Sequence, residues 1–231
     1  METILTILVA ILPTIVLCLF VYHKDILEKE PLGLLMGLFF TGIFSTIPAA
    51  FMENIAMLIF DPTNTSFLNI FLISFLGIAL IEEGYKALFA YTIGYNNRNF
   101  NHIYDGIVYC VFLSLGFATL ENVLYVLEYG INTGLLRAIV SVPGHAFFGV
   151  AMGYYMGIAK LHDKKNNKEK KNLNLTLSII MPIVFHGIFD FLLLINNETL
   201  MLVFFCFVGL LYVYSYLKIR KLSRIMRLID N

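Results

Sequence analysis

The sequence predicts an all-α, polytopic transmembrane helical bundle of about seven spans, with the N-terminus outside and the C-terminus cytoplasmic. Three observations carry this. The 231 residues are 59% hydrophobic, with a mean hydropathy of +0.80. Only 14% are charged, against about 25% in a soluble domain. The apolar residues fall into runs that each reach roughly the 20 residues a helix needs to cross the hydrocarbon core. The formal net charge of zero argues against nucleic acid as a partner and against a mere membrane-surface binder.

The spans follow in order. The first, near 3–22, lacks a basic leading region and a small-residue cleavage site, so it reads as a retained helix rather than a signal peptide. The second, near 33–59, opens on Gly33 and Gly37 and carries Glu53. The third, near 67–93, holds Glu82, Glu83 and Lys86 in the segment IEEGYKALF. The fourth, near 104–127, begins beside Asp105 and carries Glu121. The fifth, near 135–159, carries Pro143, His145 and a stripe of Gly149, Gly153 and Gly157, which would let a neighbouring helix approach closely. The sixth, near 174–195, carries Pro182, His186 and Asp190, and the seventh runs near 199–217. Proline in a span frees a carbonyl and can kink the helix, opening space beside each histidine.

Short polar breaks separate the spans: HKDILEKEP, DPTNTS, YNNRNFN, EYGINTG, KLHDKKNNKEKKN and NNE. No soluble domain fits between them, so residues 1–231 form a single transmembrane domain. Its core of interest is about 68–195, followed by a basic amphipathic tail over 218–231 suited to the inner leaflet. Cys18, Cys110 and Cys206 lie far apart in apolar runs and read as buried hydrophobes, with no metal-ligand spacing.

Topology comes from the basic residues. Lys24 and Lys29, Arg98, six lysines from Lys160 to Lys171, and five basic residues from Lys218 to Arg227 make 14 of the 16 lysines and arginines. All lie on one side of a seven-span arrangement, and the positive-inside rule makes that side cytoplasmic. Arg137, at a helix end, is free to snorkel. Lys86 is within a span.

A charge at the bilayer centre costs about 2.5–3.5 kcal/mol on insertion scales, so buried ionisable groups mark function by default. The competing reading is a charge network that only fixes packing. Spacing favours function. Glu82 and Lys86 are four apart and share a helix face, as are His186 and Asp190. Glu83 points about 100° away from Glu82, toward the histidines. Glu82, His145 and His186 fall at similar depth, with Glu121 nearer the outer face. Acids and histidines converging from four helices would suit a buried hydrolytic site.

Four motifs carry a resemblance. Glu82-Glu83-x-x-Lys86, Phe117-x-x-x-Glu121 followed by Asn122, His145-x-x-x-Gly149 and His186-x-x-x-Asp190 stand in order, each within an apolar span. Their order and spacing resemble the PrsW family of intramembrane proteases, within the superfamily that includes the CAAX prenyl endopeptidases. The wider superfamily typically has arginine where Ala87 stands and histidine where Glu121 stands, and this departure fits the PrsW branch. The resemblance implies a multi-pass protein of the bacterial cytoplasmic membrane. It also implies site-1 cleavage of a membrane-anchored protein substrate, an anti-sigma factor.

Two mechanisms fit the residues. In one, Glu82 or Glu83 deprotonates water, His145 and His186 stabilise the oxyanion and assist the leaving amine, Asp190 orients a histidine, and Lys86 keeps one carboxylate ionised. No cofactor is needed there. In the other, His145, His186 and Glu83 hold zinc and another glutamate is the base. The residues lean toward the first. Glu53, whose Glu53-Asn54 echoes Glu121-Asn122, is a supporting candidate. Other classes remain open. A proton-coupled transporter would use the same buried acids but should show paired halves. A non-catalytic scaffold would bind a partner through the glycine faces.

Overall fold

The computed structural model of the chain describes residues 2–25, 28–195 and 197–223. Among them are seven helical segments long and apolar enough to cross a membrane. Helix α1 is Glu2–Lys24 and α2 is Leu32–Ile59. The third span, Phe67–Tyr95, is not one uniform helix. It runs as α3 (Phe67–Leu72), a π-helical segment (Ile73–Ala79), α4 (Leu80–Phe89) and a second π segment (Ala90–Tyr95). Then follow α5 (Ile103–Tyr129), α6 (Ile131–Ile139), α7 (Ser141–Lys164), α8 (Lys168–Leu194) and α9 (Glu198–Leu222). The tail expected over 218–231 is described only as far as Ser223, and the rest lies outside the described residues.

Short side chains start the helices. Ser66 accepts from the Asn69 amide at the start of α3, and Asn167 accepts from the Lys170 amide at the start of α8. Asn197 caps α9 by accepting from the amides of Thr199 and Leu200. Between α5 and α6 the chain turns at Gly130, whose φ of +86° suits glycine alone. The fifth span is therefore two helices that meet at Val140. Pro143 lies in the first turn of α7, where a missing N–H breaks no helical bond. It marks a restart of the helix rather than a kink inside it.

Helix α5 is the axis of the bundle. Every residue from Tyr104 to Thr119 is buried, whereas α2 and α9 show large apolar side chains such as Phe44, Leu58, Leu202 and Leu210 on the outside, as lipid-facing helices do. Backbones approach α5 on two sides. A Cβ on Gly42 would meet the Leu113 carbonyl oxygen, and one on Gly116 the Phe39 carbonyl oxygen, so α2 lies directly on α5. A Cβ on Gly149, Gly153 or Gly157 would meet backbone at Cys110, Gly106 or Ile103. The glycine stripe read from the sequence is thus filled by α5. Gly153→Ala should destabilise the protein by about 1–3 kcal/mol or more, because backbone rather than a flexible side chain must yield. Thermal unfolding in detergent checks this. Gly37→Ala, with nothing within 4 Å of the added carbon, should not lower the midpoint and should raise it slightly, since alanine is the better helix former.

The basic loops share one end of the bundle. The Lys160 ammonium donates to the Tyr95 carbonyl at 2.7 Å, and that of Lys164 to the Asn101 carbonyl at 3.0 Å. At this end Asp25 and Glu30, between α1 and α2, are buried beside Asp105 of α5. Asp105 caps α5 by accepting from the amides of Asn101 and His102. Burial, reinforced by neighbouring carboxylates, pushes the carboxyl of Asp25 up to about 7 and that of Glu30 up to about 8. Unfolded carboxyls titrate near about pH 4, so the unfolded chain loses these protons first. The stability they contribute is complete below about pH 4 and is lost as pH rises through 7 and 8. In chelator-treated buffer the unfolding midpoint should fall across that window, and Asp25→Asn should flatten the fall.

Candidate active site

Helix α4 carries Glu82, Glu83 and Lys86, all buried, between the two π segments. A π turn shifts the register of the residues beyond it and recurs at functional sites. Lys86 is fully buried, and its ammonium has found a partner for each of its three N–H bonds. It donates to Glu82 Oε2 at 3.0 Å and Glu83 Oε1 at 2.8 Å, and lies 3.1 Å from His145 Nδ1. The Phe117 ring covers it at 4.0 Å. Lysine has no acceptor, so His145 Nδ1 must offer its lone pair. The ring proton of a neutral His145 then sits on Nε2, which is 2.8 Å from Glu121 Oε2. The Ser114 hydroxyl donates to the His145 carbonyl at 2.7 Å and ties the start of α7 to α5.

His186, on α8, stands between two carboxylates. Its Nδ1 is 3.0 Å from Glu83 Oε1 and its Nε2 is 3.3 Å from Asp190 Oδ2. Phe148 stacks on the ring at 4.6 Å, and the two histidine rings are 5.5 Å apart. Glu121 is held from the other side by Arg137 of α6, with Nη2 at 2.8 Å from Oε1. The Arg137 Nε donates to Asn122 Oδ1 at 3.0 Å, and the Asn122 amide donates to the Ala10 carbonyl of α1. All seven residues singled out in the sequence, Glu82, Glu83, Lys86, Glu121, His145, His186 and Asp190, therefore form one connected cluster.

Next to the cluster is a cavity of 630 Å³. Glu82, Glu121, His145, His186 and Asp190 line it, as does Glu53, while Glu83 and Lys86 lie behind its wall. Its lining also reaches Glu128, Tyr129, Leu193 and Leu194, at the ends of α5 and α8 opposite the basic loops. The site thus reaches the end of the bundle opposite the basic loops.

Arg137 was not legible as part of the site. Its place at a helix end reads as snorkelling, and only the break at Val140 turns α6 back over Glu121. Arg137→Ala should lower stability by about 1–3 kcal/mol by leaving a mostly buried carboxylate short of a partner. Arg137→Lys should recover only part of this, since Arg137 reaches Asn122 and Glu121 through two separate nitrogens of a planar fork, a geometry that a single ammonium does not reproduce. The unfolding midpoints of the two variants check it.

The donor atoms also suit a metal. Two overlapping groups bring possible ligand atoms within 4.8 Å of one another, Glu82 with Glu121 and His145, and Glu82 with Glu83 and His186. Each contains one histidine and shares Glu82. Glu83 Oε2 is buried with no hydrogen-bond partner, and carboxylate and imidazole donors are those of a catalytic zinc site. Lys86 contacts three of the same residues, Glu82, Glu83 and His145, so a metal bound there would share ligand residues with the ammonium.

Comparison with known proteins agrees with the geometry. Residues 30–217 match the family described as "PrsW family intramembrane metalloprotease". "Protease PrsW" of Oceanobacillus iheyensis is 36% identical over 211 residues, covering 91% of this chain and 93% of that protein. "Protease PrsW" of Clostridioides difficile is 33% identical over 220 residues, covering 93% and 90%. "Protease PrsW" of Bacillus subtilis is 36% identical over 183 residues, covering 79% and 80%. No solved structure matches the chain. Seven membrane-spanning helices, four ordered motifs in one cluster and this likeness along most of the length have one meaning: the chain is a multi-pass cell-membrane protein and belongs to the PrsW family of intramembrane proteases.

Proposed function

We propose that the chain is a membrane-embedded endopeptidase that makes the first cut in a membrane-anchored anti-sigma factor, with Glu82 as the base that activates water. The carrying observation is the division of the two glutamates. Glu82 lines the cavity with Glu121, His145, His186 and Asp190, whereas Glu83 lies behind it, held by Lys86 and His186. The anti-sigma substrate rests on the family resemblance. A cut near the outer face rests on where the cavity opens.

The steps follow from the residues. Glu82 takes a proton from a water in the cavity as the oxygen attacks the scissile carbonyl carbon. His145 and His186 border the cavity, so each ring can turn an N–H from its carboxylate, Glu121 or Asp190, to the developing oxyanion, and Glu82 returns the proton to the leaving amine. Lys86 holds Glu82 in place by donating to its Oε2, and Asp190 orients His186. The bundle around the site excludes bulk water, which strengthens each of these interactions. Where a metal is bound, Glu82, Glu121 and His145 would hold it, Glu82 then being a ligand and not the base, and the metal would supply Lewis-acid polarisation and a more acidic water.

The test is co-expression with a membrane-anchored anti-sigma factor from the same cells, with the substrate fragment read by immunoblot. A fragment with the wild type and none with Glu82→Gln supports the reading. An intact substrate with both, although the protease is in the membrane, removes the anti-sigma assignment. Metal content of the purified protein, and activity after chelation and after adding zinc, separate the metal-free and metal-bound versions. Loss on chelation with recovery on zinc rules out the metal-free one.

A further inference from the structure

The acidic cluster at the basic end of the bundle takes no part in the chemistry above, and its geometry is unusual. Asp25 and Asp105 are 0% exposed and Glu30 is 3% exposed, yet oxygens from all three lie within 4.8 Å of one another. Both oxygens of Asp25 are buried with no hydrogen-bond partner, and so is Asp105 Oδ1. Other groups are already directed around them. Asp105 Oδ2 accepts two amides, and the Tyr109 hydroxyl donates to Glu30 Oε2 at 2.5 Å.

No lysine or arginine among the described residues pairs with any of the three. The Lys29 ammonium donates to the Tyr22 carbonyl and covers the Tyr22 ring, and Lys164 donates to the Asn101 carbonyl. His102 Nδ1 approaches Asp105 only to 3.9 Å and shares that distance with Glu28. Buried carboxylates are normally paired or bound to a metal. Here three lie together with no lysine or arginine of the described residues between them.

We infer that Asp25, Glu30 and Asp105 form a binding site for a hard divalent cation of the calcium or magnesium class, separate from the catalytic cavity. The donors are all oxygen, as such ions require. Two ligands come from the segment between α1 and α2 and the third from the first turn of α5, so a bound ion would fasten that segment to the central helix. It would also supply the positive charge the cluster lacks. The ligands themselves are not ion-selective by type, and size and hydration decide between calcium and magnesium.

Terbium, which replaces calcium and emits when tyrosine nearby is excited, is the probe. Tyr109 touches the site through Glu30. Metal-stripped full-length protein in detergent should give sensitised emission that calcium or magnesium displaces. Asp25→Asn and Glu30→Gln should each weaken terbium binding by about tenfold or more, the scale of losing one ligand or its support. Asp25→Asn removes a buried unpaired charge, so it should fold, which size-exclusion chromatography checks. Glu121→Gln in the cavity should leave the emission unchanged. The inference fails if both cluster variants bind terbium like the wild type. It fails equally if emission disappears with Glu121→Gln instead, or if no emission appears above the detergent blank, which would mean that the cluster holds protons rather than an ion. None of these outcomes depends on peptide cleavage.

Discussion

Glu82→Gln should reduce cleavage of a membrane-anchored substrate by about 10²–10⁴-fold, the range a positioned general base contributes. The amide keeps the shape and can still face Lys86, so expression and thermal unfolding should change little. Glu83→Gln should behave differently. Glu83 touches Lys86 and His186 but not the cavity, so its loss should disturb two catalytic groups and lower stability together. Alanine at His186 should also abolish cleavage, since both ring nitrogens face carboxylates that would then lose their shared partner. Fragment yield in membranes, normalised to protease level, reads all three. If cleavage persists in all of them, the assignment of the site to this cluster is wrong.

Lys86→Met should be the most destabilising single change in the cluster, at about 3–5 kcal/mol, the cost of leaving buried charge without its partner. Glu82 and Glu83 would then face each other with His145 Nδ1 and no cation. The triple variant Glu82→Gln, Glu83→Gln, Lys86→Met removes the charges together and should regain much of the lost stability while remaining inactive. Unfolding midpoints in one detergent compare the two. Equal midpoints for Lys86→Met and the wild type would show that the lysine is not the counter-ion of the glutamates.

The spans were legible because length and apolarity are what a bilayer demands of a helix. All seven are present, and the motif residues converge as their spacing and depth require. Glu82 and Lys86 were expected as a pair. The lysine instead reaches Glu83 and His145 as well, since three donors on a flexible stem bind what the neighbouring helices bring, and those helices are distant in sequence. The π turns on either side of α4 leave no mark in composition. The break at Val140 has only Gly130 and Pro143 as signals, and each reads alone as an ordinary loop or kink. Arg137 followed from that break. Asp25 and Glu30 looked like residues of a solvated loop, because nothing in HKDILEKEP shows that α5 will bring Asp105 against them.

The most direct measurement uses purified protein and one membrane-anchored substrate in liposomes made up in heavy-oxygen water. Mass spectrometry of the new carboxyl terminus then reports where the oxygen came from. One cut is expected, near the face opposite the basic loops, with a solvent oxygen in the new carboxylate for the wild type and no fragment for Glu82→Gln. A labelled fragment formed at the wild-type rate by Glu82→Gln would contradict it.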